Sequence, residues 1–251
     1  MKRRFSIFSL AARFMFWPVV IISALCAAAT LLLLQGAAAQ NPKISDEELF
    51  GAALYPVTAG IIALTLLFTR LLRDRGGVQP GYTVRRLGVP ELELLLLQTL
   101  AALLGYLVFL AAQTAALLGY GLRLHALGYG SAGELSVFIG LVLSRPGHFL
   151  LPLDDLVVLL REGLVLFMLA FSAAYASLIG RRGRTAVLPY VLLALGGLSR
   201  AYSAAPLAEP GWELLIILVC VIVIGSTAVS AVGAIRDDAA TQEAEDYGQS
   251  V

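Results

Sequence analysis

Few side chains in this sequence are equipped for bond-breaking chemistry, and their spacing limits what they can do. The two histidines, His125 and His148, stand far apart, with no His-Glu-x-x-His pattern to hold zinc between two imidazoles on one helix face. Lys2 and Lys43 are the only lysines, and neither belongs to a Gly-x-x-x-x-Gly-Lys-Ser/Thr phosphate loop. The chain therefore has no Walker route to ATP hydrolysis. Cys26 and Cys220 each lie inside an apolar run and read as small buried hydrophobes, not as a disulfide or a metal pair. Gly197-Leu198-Ser199-Arg200 brings a serine near a helix end with no histidine placed to activate it. A packing glycine and a helix-end serine is the simpler account. The sequence thus offers no catalytic residue, no cofactor site and no metal site.

Two charged groups are more informative. Arg161-Glu162 follows Asp155 by about one and a half turns in an apolar stretch, some ~10 Å into a helix at 1.5 Å per residue. Charges at that depth are costly unless they pair, snorkel or face a cavity. One reading makes Arg161 and Glu162 vestibule charges, with Arg200 or Glu213 as a partner from a later span. The other starts the span near Gly163 and leaves both at the interface. Asp154 and Asp155 suit the helix start, where carboxylates accept from free N–H groups at the positive dipole end. The second group is the basic stretch Arg70-Leu-Leu-Arg73-Asp74-Arg75-Gly-Gly. It leads through Pro80-Gly81-Tyr82-Thr83-Val84-Arg85-Arg86-Leu87-Gly88-Val89-Pro90-Glu91. Tyr82 to Leu87 can form a short helical turn with one apolar and one double-arginine side, stopped by Gly88 and Pro90. It is either a docking surface or a basic loop resting on anionic head groups.

The elements that must position these groups are membrane helices. Of the 251 residues, 59% are hydrophobic and 14% charged, against about 45–50% and about 25% in soluble domains. The mean hydropathy is +0.85. A net charge of +1 gives no electrostatic footprint for nucleic acid. Spans need roughly 20 apolar residues. The expected fold is an all-α transmembrane bundle of six spans near 14–34, 50–69, 92–120, 156–179, 186–205 and 214–235. They form one domain, 1–236. The segment 134–151 is interrupted by Arg145, Pro146, Gly147 and His148 and reads as an interfacial or re-entrant helix, a seventh span being the less favoured reading. The tail 237–251, with Asp237, Asp238, Glu243, Glu245 and Asp246 and no basic residue, reads as disordered.

Charge bias orients the bundle. With both termini in the cytoplasm, the inner segments collect Lys2, Arg3, Arg4, Arg13, Arg70, Arg73, Arg75, Arg85, Arg86, Arg181, Arg182, Arg184 and Arg236. The outer side keeps Lys43, Arg123, Arg145, Arg161 and Arg200. An alternative at the start is a secretory signal ending at Ala37-Ala38-Ala39, although the apolar stretch is longer than such signals carry. Gln98, Gln113 and Thr114 in the third span read as hydrogen-bond glue between helices, and Gly225 to Gly233 as a small-residue packing face. Trp17-Pro18 and Tyr55-Pro56 mark kinks or entry turns.

This layout resembles the permease subunits of bacterial ABC exporters of the ABC-2 type. The likeness lies in a short basic N-terminus, six spans, the basic loop Tyr82-Thr83-Val84-Arg85-Arg86-Leu87 after the second, a long third span, and an extracellular element before the fourth. It covers about residues 10–236. The segment His148-Phe149-Leu150-Leu151-Pro152-Leu153-Asp154-Asp155 adds to it. The resemblance implies a bacterial cell membrane location, a second permease subunit and a separate ATPase. The ATPase would engage a coupling element at Tyr82, Thr83, Arg85, Arg86 and Glu91. The competing expectation is a non-transporting membrane protein, such as an assembly factor, scaffold or sensor partner. A third, an intramembrane enzyme, lacks paired polar residues at mid-bilayer.

Overall fold

A computed structural model describes residues 2–40, 51–70, 90–126, 156–181 and 210–249. Every element among the described residues is an α-helix: α1 (Lys2–Gln40), α2 (Leu54–Thr69), α3 (Glu91–Ala126), α4 (Leu156–Arg181) and α5 (Pro210–Gln249). Four are long and apolar enough to cross a bilayer, over Ala12–Gln40, Glu91–Arg123, Leu156–Gly180 and Leu214–Arg236. The chain is therefore a helical, multi-pass membrane protein. The apolar α2 is shorter, about 24 Å at 1.5 Å per residue. These helices coincide with five of the six expected spans. The fifth expected span and the 134–151 segment lie outside the described residues.

Local sequence accounts for the ends. Pro56 falls in the first turn of α2, where a missing N–H costs nothing. Pro18 lies inside α1, which continues through it. At the start of α3, Glu91 and Glu93 occupy the first turn, where carboxylates suit the positive end of the helix dipole. Helix also extends beyond the expected spans: α1 begins at Lys2, and at the C-terminus α5 runs on as helix to Gln249 beyond the apolar span. Alanine, glutamine and glutamate between 239 and 245 are strong helix formers and no proline interrupts them.

In lipid, leucine against leucine gains little, because acyl chains are equally apolar. Close backbone approach and hydrogen bonds between helices decide the packing instead. The α2–α3 contact shows both. The ring of Phe109 fills the notch left by Gly60, so that a Cβ at position 60 would overlap it. In return Phe68 of α2 fills the notch of Gly105, its Cζ only 2.7 Å from where a Cβ would stand. Between the notches the Thr65 and Tyr106 hydroxyls are hydrogen bonded, and the Phe68 and Tyr106 rings meet edge to face at 5.2 Å. Pairing 60 with 109, 65 with 106 and 68 with 105 makes the two helices antiparallel.

The other directions follow in the same way. Val19 of α1 meets α3 at Gly105, while Ser23 and Thr30 meet it at Gln113. Helices α1 and α3 therefore run the same way. A satellite cluster joins Leu95 of α3 to Phe171 and Ala174 of α4 and Ala231 of α5, with Phe167, Tyr175 and Ala228 around it. Because α3 begins only a turn before Leu95, its packing against α4 must run backwards along α4, and the two are antiparallel. At its other end α4 brings Glu162 within electrostatic range of Cys220. The order 162 to 171 therefore matches 220 to 231, and α4 and α5 are parallel. Helix α3 is the hub, α2 packs against α1, α3 and α4, and α5 packs on α4 at the edge. The outward faces of α1 and α5 present Phe16, Trp17, Leu25, Leu32, Leu218, Ile222 and Val229, as lipid-facing surfaces do.

Candidate functional site

These directions gather the charged ends. Arg13 of α1, Arg70 after α2, the start of α3 at Glu91, the end of α4 at Arg181 and Arg236 of α5 all lie toward one end of the bundle. Arg123 and the Arg161–Glu162 pair lie toward the other. The basic loop leaves α2 and enters α3 at the first end. Of the coupling residues expected from sequence, Glu91 opens α3, while Tyr82, Thr83, Arg85 and Arg86 lie outside the described residues. So does Arg200.

Arg161 and Glu162 do not reach toward water as the interface reading expects. Their side chains are only 10% and 13% exposed, and Nη2 and Nε of Arg161 donate to the same Glu162 oxygen at 3.0 and 3.2 Å. The sequence reading looked for partners on other spans, at Arg200 or Glu213; neighbours on a helix diverge by about 100°. The long arginine nevertheless folds sideways over that angle. The pair is neutral as a unit, and removing one member of a buried pair costs about 3–5 kcal/mol. Cys220, 2% exposed, faces it from α5.

The polar residues of α3 divide. Gln113 joins two helices as expected: it accepts from Thr30 at 3.1 Å and donates to the Ser23 carbonyl at 3.3 Å, both on α1. Thr114 does not, since its hydroxyl donates to Leu110 of its own helix at 2.9 Å. Gln98 is buried with both amide atoms lacking a hydrogen-bond partner among the described residues. The hydroxyls of Ser23, Ser172 and Thr227 are in the same condition. A polar group left so costs roughly 2–7 kcal/mol on transfer from water. The small-residue face of α5 also splits. Thr227, Ala228 and Ala231 turn in toward α4, whereas Gly225, Ser226, Val229 and Gly233 are exposed.

Sequence reasoning missed the Gly60–Phe109 and Gly105–Phe68 notches, because glycine and phenylalanine in an apolar helix carry no mark of their partner. No cluster of histidine, cysteine or acidic side chains among the described residues has the makings of a metal site. No protein-family model, curated protein or solved structure matches the chain.

Proposed function

We propose that this chain is the membrane-spanning permease subunit of an ABC exporter of the bacterial cell membrane. In this reading it has six spans and both termini in the cytoplasm, and it works with a second permease subunit and a separate ATPase. The observation that carries the reading is the direction of the helices. Since α4 and α5 are parallel, this reading has the 28 residues from 182 to 209 between them return the chain across the membrane. That length fits a span of roughly 20 residues with short connections. Since α3 and α4 are antiparallel, the segment 127–155 returns to the side it left, which supports an element at 134–151 that does not span.

The basic ends gathered at one end of the bundle make that end cytoplasmic by the positive-inside rule. In this reading the stretch carrying Tyr82, Thr83, Arg85 and Arg86 is the connection between α2 and α3 at that end, where Glu91 opens α3. A short basic element pinned between two helices can pass movement to α3, the hub of the bundle. The sequence has no phosphate loop of its own, so energy enters through a partner. At the opposite end lie Arg161 and Glu162, which in this reading belong with Arg200 to an outward charged group.

The test is affinity purification of the tagged protein in mild detergent, wild type beside Arg85→Glu/Arg86→Glu, with co-purifying proteins identified by mass spectrometry. A stoichiometric ATPase that is lost in the charge-reversed variant is the expected result. If no ATPase accompanies the wild type from its native membrane in several detergents, the scaffold or assembly-factor reading replaces this one.

A further inference from the structure

Among the described residues, three of the four buried side chains without a hydrogen-bond partner fall at one level of the bundle. Gln98 is one turn beyond Leu95 on α3, Ser172 lies between Phe171 and Ala174 on α4, and Thr227 is one turn before Ala231 on α5. Leu95, Phe171, Ala174 and Ala231 form a single cluster, which brings the three polar residues within about one turn of each other along the bundle axis. They are 2%, 1% and 1% exposed, and their side-chain polar atoms have no partner among the described residues. Cys220 lies two turns before Thr227 on the same face of α5 and is itself buried beside Glu162.

An isolated orphan can be an accident of packing, but orphans at one level on three adjoining helices are a set. Together they offer the two donors and the acceptor oxygen of an amide and two hydroxyls that can do either. None is charged, so the set does not select an ion. It matches what a buried water needs, two to four polar partners in a site otherwise lined by apolar groups. No hydrophobic gain between helices in lipid offsets the cost of leaving these groups dry. We propose that water occupies the α3–α4–α5 junction at Gln98, Ser172 and Thr227, making it an internal hydrated site. The proposal rests on burial and hydrogen bonding and needs no ATPase, so it stands or falls apart from the permease reading.

The test uses the full chain in lipid vesicles with Cys26→Ala and Cys220→Ala as background. Single cysteines are introduced as Gln98→Cys, Ser172→Cys and Thr227→Cys, with Leu64→Cys, fully buried among apolar groups, as control. The probe is iodoacetamide, small and uncharged, so that reaction does not depend on an open aqueous path. Because the reactive form is the thiolate, which needs water to form, the three junction cysteines should react at least ~10-fold faster than the control. Rates equal to the control overturn the proposal. Should the cysteine variants fail to fold, Gln98→Met in the native chain decides. Its melting temperature falls if the amide holds water, and stays level or rises if the amide is a dry orphan.

Discussion

Replacing Gly60 by alanine tests the notch packing directly. A Cβ at 60 would overlap the Phe109 ring, and the Cys26 sulfur stands 3.0 Å away on its other side. Phe109 is fully buried, so the ring has nowhere to swing. Overpacking of this kind costs about 1–3 kcal/mol, while replacing a mid-helix glycine returns up to about 1 kcal/mol of helix propensity. The difference is a net loss of up to about 2 kcal/mol. At about 2–4 °C per kcal/mol for a chain of this size, the melting temperature drops by up to about 8 °C. Gly163→Ala is the control, since a Cβ there meets nothing within 4 Å. Only the propensity gain remains, and that variant melts at or above wild type. Thermal unfolding in detergent, followed by size-exclusion chromatography, measures both. Gly60→Ala/Phe109→Leu completes the cycle: the smaller side chain vacates the notch, and the two changes together cost less than their sum by more than about 0.5 kcal/mol. Equal melting of Gly60→Ala and Gly163→Ala, with additive behaviour in the double variant, would refute the notch.

Three further outcomes follow from the geometry. Gln113→Leu and Thr30→Val should couple by about 0.6 kcal/mol in a double-mutant cycle of unfolding, the usual size of a hydrogen bond between membrane helices; additivity would mean that the bond contributes nothing. Arg161→Met alone should lower stability by about 3–5 kcal/mol, and Arg161→Met/Glu162→Met should recover most of it, because the loss comes from removing one member of a buried ion pair. A single variant as mild as a surface substitution would mean that water reaches the pair. Tags placed before Met1 and after Val251 should be digested by protease from the same side of sealed vesicles, and a tag in 127–155 from the other; termini on opposite sides would break the six-span proposal.

Much of the helical layout was legible in the sequence because crossing lipid imposes a crude rule: a run of apolar residues long enough to cover the hydrocarbon. The described helices start and stop close to where that rule puts them, and Pro56, Glu91 and Glu93 mark ends by local chemistry alone. Composition misled over 237–249. Acidic, polar sequence reads as tail, but its alanines and glutamates also propagate a helix already begun. Among the polar residues of α3, type alone did not separate Gln113, which joins α1, from Gln98, which has no hydrogen-bond partner among the described residues. The two differ in which neighbour faces them, and that neighbour is distant in sequence.

The sequence by itself determined that this is a helical membrane protein, where its long helices run, and which segments carry its positive charge. Each of these follows from a sum over neighbouring residues, which the solvent reads locally. The tertiary structure decided which helix touches which and in what direction. It also decided that Arg161 closes on Glu162 and that the small face of α5 divides between α4 and the exposed outer surface. Between helices in lipid there is no general hydrophobic pull to guide assembly. Partners are chosen by fitted pairs such as Phe109 in the notch of Gly60 and Thr30 on Gln113, and such a fit exists only once residues far apart in the chain have been brought together.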